Sequence, residues 1–155
     1  MKDTAPPRRL AYLLSQLGTV AAGRFNGLVS ELGLTAPEAG TLRLLAVRPG
    51  MSQRALAEKL GAVPSRVVVL LDSLEKQGLV SRQRSAADRR NHELVLTPAG
   101  KRMMGRLREV SLTHERVTVG MLSEAERDQL ARLLGKLAEA HDLDPEVHPG
   151  YRHRG

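Results

Sequence analysis

The sequence predicts a mainly α-helical fold with one small β-hairpin. Three observations in its 155 residues indicate this fold. Apolar residues recur every three or four positions along most of the chain, as they do on amphipathic helices. Apolar and polar residues alternate only in "LVSRQR" and "HELVLT", two segments that flank a polar tip and are typical of a hairpin. The longest helical patterns lie at the two ends of the chain, and the short ones lie between them.

The first helix is predicted from Arg8 to Leu32, and Gly33 ends it. Its apolar stripe consists of Leu10, Leu13, Leu14, Leu17, Val20, Ala21, Phe25, Leu28 and Leu32. A second helix begins at "TAPE", where Thr35 can cap the free amides and Glu38 is its capping-box partner. The segment "RPG" ends this helix.

Two short helices follow. Ser52 is the predicted cap of the third helix, "QRALAEKL", which stops at Gly61. A fourth helix runs from about Ser65 to Gln77, and Gly78 ends it. Its inward stripe consists of Val67, Leu70, Leu71 and Leu74.

After the hairpin, Thr97 caps a fifth helix with Pro98 at its first position. Steps of four and three residues define an apolar seam along it: Met103, Leu107, Val110, His114, Val117 and Met121. Ser123 and Glu126 form the capping box of a sixth helix, which extends to about Ala140. The polar remainder, residues 141–155, contains Pro and Gly and is predicted to be a loose tail.

This order of elements predicts a single domain over residues 1–155 with two functional parts. The compact middle, residues 35–97, is one lobe. The terminal helices, residues 8–34 and 98–140, carry apolar stripes that so small a lobe could not cover. We therefore expect them to pack against a second copy of the chain, as dimerisation helices.

Composition points to a polyanionic partner. Lys and Arg total 24 against 17 Asp and Glu, which gives a net charge of +7. Because the chain has only three aromatic residues on which single-stranded bases could stack, duplex DNA is favoured over single strands. The absence of cysteine excludes disulfides and thiolate zinc sites. No signal peptide or long apolar run is evident, so we expect a soluble, cytoplasmic protein.

The middle lobe predicts a winged helix-turn-helix, in which the fourth helix enters the major groove of DNA. Arg66 can donate to guanine, and valine methyl groups suit thymine. The predicted recognition face consists of Ser65, Arg66, Val68, Val69 and Ser73. Predicted phosphate contacts are Ser52, Arg54, Lys59, Lys76, Arg82 and Arg84. In the alternative interpretation, the two valines belong to the core and the arginines are simply solvated.

The stretch "LLDSLEKQGLVSRQRSAADRRNHELVLTPAGKR" resembles the MarR family of transcription regulators, and the resemblance covers about residues 8–140. It implies an obligate homodimer with intertwined terminal helices that binds a pseudo-palindrome. It also implies that Arg90 of the wing, beside Arg89, reaches the minor groove while Asp88 steadies the wing. A narrow A·T-rich minor groove concentrates negative potential that attracts arginine. The alternative is a solvated turn with a surface ion pair between Asp88 and Arg90.

The same resemblance implies a small anionic aromatic or lipophilic effector, bound between the dimer helices and the lobe. By helix position, the candidate lining residues are Tyr12, Arg24, Phe25 and His114. For His114, a hydrogen-bonded core histidine is the alternative interpretation.

Sequence signals for other chemistry are incomplete. "HERVT" lacks the second histidine of a zinc-peptidase motif, and "PAGKR" lacks the glycine and hydroxyl of a phosphate loop. His141, His148 and His153 lie in the polar tail and are predicted to be solvated. We therefore expect a regulator with no catalytic residues, metal or cofactor. A sequence-neutral architectural DNA-binding protein and an enzyme with an unrecognised site remain as alternatives.

Overall fold

The computed structural model describes residues 9–152, so that the predicted helix start at Arg8 and the histidine at position 153 lie outside the described residues. Within this range the chain forms six α-helices and three β-strands. The helices are α1 (Leu10–Ser30), α2 (Ala36–Val47), α3 (Gln53–Leu60), α4 (Pro64–Lys76), α5 (Pro98–Val119) and α6 (Glu124–Ala140). The strands are β1 (Met51–Ser52), β2 (Val80–Arg84) and β3 (His92–Leu96). The predicted mainly α-helical fold with a small hairpin is confirmed.

Local sequence signals position the helix starts as predicted. The Thr35 hydroxyl accepts from the Glu38 amide at 3.3 Å, and the Glu38 carboxylate accepts from the Thr35 amide at 2.8 Å, which completes a capping box. Ser123 and Glu126 form the same arrangement at the start of α6. The Thr97 hydroxyl accepts from the Gly100 amide at 3.0 Å, which caps α5.

The sheet is antiparallel with the strand order β1-β3-β2. The hairpin register runs from Val80 opposite Leu96 to Arg84 opposite His92. The third strand, β1, was not predicted, because two residues are too few to show an alternation. It pairs with β3 and so attaches the start of α3 to the wing.

The hydrophobic core lies in the middle lobe. Its largest fully buried side chains are Leu42, Leu44, Leu45, Leu56, Leu60, Leu71, Leu74, Leu94, Val29, Val67 and Thr41. The long helices are different, because α1 crosses α5 and leaves much of its apolar stripe in solvent. The exposed apolar residues of α1 are Leu10, Tyr12, Leu13, Leu14, Leu17 and Val20. None of the helices within residues 9–152 has the length and apolarity needed to cross a membrane.

The C-terminal segment corrects a prediction, because it is not loose. Val147 and Tyr151 are buried, and residues Pro149–Tyr151 form a 3₁₀-helix that packs on the lobe. The Tyr151 hydroxyl donates to the Pro37 carbonyl at 2.5 Å. The polar, Pro- and Gly-containing sequence correctly indicated that no α-helix forms here. Its contacts join residues about a hundred positions apart, and such contacts leave no local pattern in the sequence.

Candidate nucleic-acid interface

Helix α4 presents two different faces. Its inner face is in the core, where Val67, Leu71 and Leu74 are almost fully buried. On its outer face Val68 is 37% exposed and Val69 is 68% exposed, so these valines are not part of the core. Ser65 is also exposed, and Arg66 is partly buried. The outer face therefore combines a hydroxyl, a guanidinium and two branched apolar side chains, groups that suit base edges and thymine methyls.

Ser73 does not belong to this outer face. It is partly buried, and its hydroxyl donates to the Glu38 carboxylate of α2 at 2.5 Å. Glu38 is itself only 6% exposed. Helical periodicity placed Ser73 beside the reading face, but the buried carboxylate directs its side chain toward α2. Glu38 is thus a residue that the sequence analysis interpreted only as a cap, although it also holds the recognition helix.

The wing tip is ordered by hydrogen bonds from within the turn. The Asp88 carboxylate accepts from the Arg90 amide at 3.0 Å and from the Asn91 side chain at 3.3 Å. The Ser85 hydroxyl, which the sequence analysis missed, accepts from the Ala87 amide at 3.2 Å. Among residues 9–152 neither Arg89 nor Arg90 forms an ion pair with a carboxylate, and both are exposed. The Asp88 carboxylate therefore accepts a hydrogen bond from the backbone of the turn and does not pair with the Arg90 guanidinium, which is exposed to solvent.

The six predicted phosphate contacts fall into three groups. Ser52 uses its hydroxyl to cap α3, accepting from the Ala55 amide at 3.0 Å. Arg54, Lys59 and Arg82 each have an internal carboxylate partner, at 3.1, 2.7 and 3.0 Å respectively. Lys76 and Arg84 are exposed and form no ion pair within the described part of the chain.

Lys59 is the most strongly engaged of these cations. Its amine lies 2.7 Å from Asp144 and 3.1 Å from Glu146. The hydrogen bond to Asp144 raises the pKa of Lys59, and the reciprocal bond lowers the pKa of Asp144. Sequence reasoning could not find this pair, because its partners lie 85 residues apart.

The structure brings together three of the four predicted effector residues where α1 crosses α5. The rings of Phe25 and His114 meet edge to face with centroids 5.4 Å apart. His114 Nε2 lies 2.8 Å from the Ala21 carbonyl, so the histidine is partly buried and hydrogen-bonded. The Arg24 guanidinium donates to the Val117 carbonyl at 2.7 Å. Tyr12 lies 13 residues before Phe25 on the same helix, about 20 Å away at 1.5 Å per residue.

The described histidines of the C-terminal segment, His141 and His148, do not belong to a cluster that could hold a metal ion. Across residues 9–152, no three His, Cys, Asp or Glu side chains lie close enough together to hold a metal ion. The ring of His148 instead accepts from the Gly150 amide at 3.0 Å, which supports the 3₁₀-helix.

Comparison with known proteins identifies the family. The sequence pattern of the MarR family matches residues 32–91. The HTH-type transcriptional repressor Rv2887 of Mycobacterium tuberculosis is 31% identical over 137 residues, which covers 88% of this chain and 96% of the relative. The transcriptional repressor CouR, solved bound to a 23-mer DNA duplex, aligns with a TM-score of 0.72 and 34% identity over 83% of this chain and 92% of its own.

A solved complex of a family member with a small molecule is also similar. The structure of Rv2887 with p-aminosalicylic acid aligns with a TM-score of 0.68 and 30% identity, over 83% of this chain and 98% of the other. The similarity thus extends over the lobe and most of the long helices. The chain therefore belongs to the MarR family and is a DNA-binding transcriptional regulator.

Proposed function

We propose that the protein is a homodimeric repressor that reads a pseudo-palindromic operator and is released from it by a small anionic or lipophilic effector. The observation that carries the proposal is the division of α4 into two faces. The inner face is buried in the core, and Val68 and Val69 on the outer face are exposed to solvent. Two exposed branched apolar side chains next to Arg66, on a helix anchored in the core, suit thymine methyl groups and base edges. The proposal involves no catalytic step, metal or cofactor, and it places the protein on DNA in the cytoplasm.

The dimer is the first part of the proposal. Residues 8–34 and 98–140 act as the dimerisation helices, and residues 35–97 act as the DNA-binding lobe. Support comes from α1, where Leu17 is 61% exposed, and from α6, where Leu133, Leu134 and Leu137 are each more than 40% exposed. Burying these side chains against a second copy removes apolar area from water. A symmetric dimer then presents two copies of α4, which matches a palindromic site.

The second part assigns roles on DNA. Ser65, Arg66, Val68 and Val69 contact base edges in the major groove, and Arg90 enters the minor groove with Arg89 beside it. Among the remaining cations, Lys76 and Arg84 bind phosphates directly, since they form no internal ion pair among the described residues. Arg54 exchanges an exposed internal ion pair for a phosphate, which costs little because such pairs are weak. Arg82 is partly buried between Asp72 and Glu75, so a phosphate contact would require it to give up two internal ion pairs. The Ser52 amide and hydroxyl lie at the start of α3, another position suited to a phosphate.

The third part concerns the effector. Arg24, Phe25 and His114 lie together beside the lobe, and they offer a cation, an aromatic edge and an imidazole to an aromatic anion. The related Rv2887 has been solved with p-aminosalicylic acid, a molecule of that class. Tyr12 contributes to this site only if a second protomer brings its own α1 alongside. Effector binding between the dimer helices and the lobe would then alter the separation of the two recognition helices.

Selection of binding sites from genomic fragments with the purified protein tests the proposal. We expect a symmetric motif whose half-sites lie about one helical turn apart, ~34–36 Å. Binding that is strong but indifferent to sequence would instead identify an architectural DNA-binding protein. Addition of salicylate-type compounds to the selected complex then tests release, with a neutral aromatic alcohol as the control.

A further inference from the structure

The C-terminal segment Asp144–Arg152, here called the strap, is anchored to the lobe at three separate places. The first anchor is Tyr151, which is 5% exposed and lies against the start of α2. Its hydroxyl and that of Thr41 both donate to the Pro37 carbonyl. A Cβ on Gly40 would lie only 2.1 Å from the Tyr151 hydroxyl, so only glycine leaves room for the ring in this position.

The second anchor is a group of ion pairs that the strap forms with Arg48, at the end of α2, and with Lys59 of α3. Lys59 contacts both Asp144 and Glu146, and the Arg48 guanidinium lies 2.9 Å from the Glu146 carboxylate. The hydrogen bond from Arg48 lowers the pKa of Glu146, and the bond from Lys59 lowers it further. Both carboxylates of the strap are therefore neutralised by cations of the lobe, and they present no net negative charge to a nearby polyanion.

The third anchor is Arg152, whose side chain lies over the turn between α3 and α4. Gly61 occupies this turn with a φ of 63°, and a Cβ there would lie 3.0 Å from the Arg152 Cγ and 3.4 Å from its Nε. Arg152 is exposed, and it forms no ion pair with a carboxylate in residues 9–152. The strap thus ends with an exposed arginine whose side chain lies over the turn that leads directly into the recognition helix.

Arg66 links this position to the reading face. Burial raises the pKa of Tyr151, and the nearby positive charges of Arg43 and Arg66 partly offset that effect. The strap therefore lies within electrostatic range of the arginine that we assign to a base edge. The Arg152 guanidinium lies near the N-terminal end of α4, the end that would enter the major groove. Phosphate contacts flank the base contacts of a recognition helix, so this position suits a contact with a phosphate at the edge of that groove.

We propose that the strap is an integral part of the DNA-binding surface and that Arg152 binds a backbone phosphate beside the α3–α4 turn. This inference rests on the proposed function, since it requires α4 to enter the major groove. In this role the ion pairs and Tyr151 are positioning groups, and Arg152 is the group that touches DNA. The strap thus adds Arg152, which is 86 residues beyond Arg66 in the sequence, to the DNA-binding surface. The helix-turn-helix segment itself does not supply this cation.

The test compares Arg152→Gln with Arg132→Gln, a matched control that removes one exposed arginine from α6. Affinity for the selected operator is measured by fluorescence anisotropy at several salt concentrations. Each phosphate contact contributes about 0.9 to the slope of log K against log salt, so a dimer that loses two contacts should lose up to ~1.8 from the slope. The control should change the slope only slightly. Equal slopes for Arg152→Gln and the control would overturn the proposal.

A second variant tests the positioning role of Tyr151. Tyr151→Ala releases the strap but keeps every charge in the chain, and it should lower the salt slope as Arg152→Gln does. The double variant should lose no more than either single one, because both remove the same contact. If Tyr151→Ala instead tightens binding, the strap obstructs the interface and the proposal is wrong. Sedimentation and thermal melting verify that each variant remains folded and dimeric.

The controls also separate this inference from the proposed function. If the wild-type protein selects no symmetric site, the proposed function itself fails. If the wild type selects one and Arg66→Ala weakens it while Arg152→Gln does not, only the role of the strap is refuted.

Discussion

The Ser73 hydroxyl of the recognition helix donates to the Glu38 carboxylate at the start of α2, over a distance of 2.5 Å. Because Glu38 also accepts from the Thr35 amide at 2.8 Å, one buried carboxylate both closes the capping box of α2 and orients α4. The Glu38 carboxylate therefore holds the C-terminal half of α4 against the start of α2, in addition to the core contacts of α4.

Ser73→Ala should destabilise the protein by about 1–3 kcal/mol, since it leaves a buried carboxylate with one donor fewer. Chemical denaturation measures this loss. Ser65→Ala, at an exposed position of the same helix, is the control and should stay within about 0.5 kcal/mol of the wild type. A Ser73→Ala variant with unchanged stability and an altered base preference would show that Ser73 contacts DNA after all.

Substitution of Arg66 in the recognition helix and of Arg90 at the wing tip should affect DNA binding in different ways. Arg66→Ala should cost roughly 1–3 kcal/mol of binding free energy and relax the preference at one position in each half-site. Arg90→Ala should weaken binding most on sites with A·T-rich flanks, because a narrow minor groove attracts the guanidinium. Anisotropy on A·T-flanked and G·C-flanked operators measures both effects. Unchanged affinity of Arg90→Ala on both operators would make the wing tip a solvated turn.

Docking of the strap should weaken in acid. The pKa values of Asp144 and Glu146 are lowered by their hydrogen bonds to Lys59 and Arg48, so these groups stabilise the docked state at neutral pH. That contribution is present above the ordinary carboxyl range, roughly pH 4, and is lost as the pH falls through the lowered values. The raised pKa of Lys59 preserves its charge throughout this window. The NMR signals of labelled Tyr151 should report the release.

The control for this pH effect is the double variant Asp144→Asn, Glu146→Gln. Its strap should be less firmly docked at neutral pH and should show little further change between pH 5 and pH 3. A variant that releases its strap over the same acid range as the wild type would locate the titrating group elsewhere.

Substitution of an exposed leucine on α1 should separate the protomers. The wild type should sediment at twice the 16.9 kDa chain mass. Leu17→Glu places a charge on a side chain that is 61% exposed in the single chain, and it should shift the equilibrium toward monomer. Gln83→Glu, which adds the same charge at an exposed position of β2 in the lobe, serves as the control. A folded wild-type monomer at micromolar concentration would refute the dimer and with it the two-half-site operator.

Gly40→Ala should increase the stability of the protein only when the strap is absent. In a chain that ends at Ala140, the substitution should stabilise α2 by roughly 0.5–1 kcal/mol, because alanine is the better helix former. In the full chain the added methyl occupies the position of the Tyr151 hydroxyl, so the gain should disappear or become a loss. Thermal unfolding of the four proteins measures the difference. Equal gains in both backgrounds would show that Tyr151 does not pack on α2.

Local signals accounted for most of the fold. Capping residues such as Thr35 and Thr97 accept hydrogen bonds from amides three positions later, so a short segment of sequence is enough to predict their role. The hairpin was predictable for the same reason, since its register depends on alternation and a short tip. The outward position of Val68 and Val69 also followed from helical periodicity.

Apart from the two-residue strand β1 and the Ser85 hydroxyl of the wing turn, the missed features depend on contacts that are distant in sequence. Ser73 has the spacing of an outward residue, but Glu38, 35 positions earlier, determines where it points. The tail has a loop-like composition, yet Tyr151 and Lys59 anchor it across 114 and 85 positions. Side chains that meet only after the chain has folded leave no periodic pattern, so the surroundings of Ser73 and Tyr151 could not be predicted although their local structure could.

The short connection between α6 and the strap limits how far the reading lobe can travel. Ala140 ends α6, and Asp144 is bound to Lys59 only four residues later, so a fully extended chain spans about 14 Å between them. Asp142 adopts a φ of 50°, which folds the connection, so the connection is shorter than a fully extended chain and can lengthen. The connection therefore ties α6 to α3, the helix that precedes the recognition helix. Operators with an extra base pair between their half-sites should therefore be tolerated better in the double variant Asp144→Asn, Glu146→Gln, which lacks the carboxylates that hold the connection to Lys59.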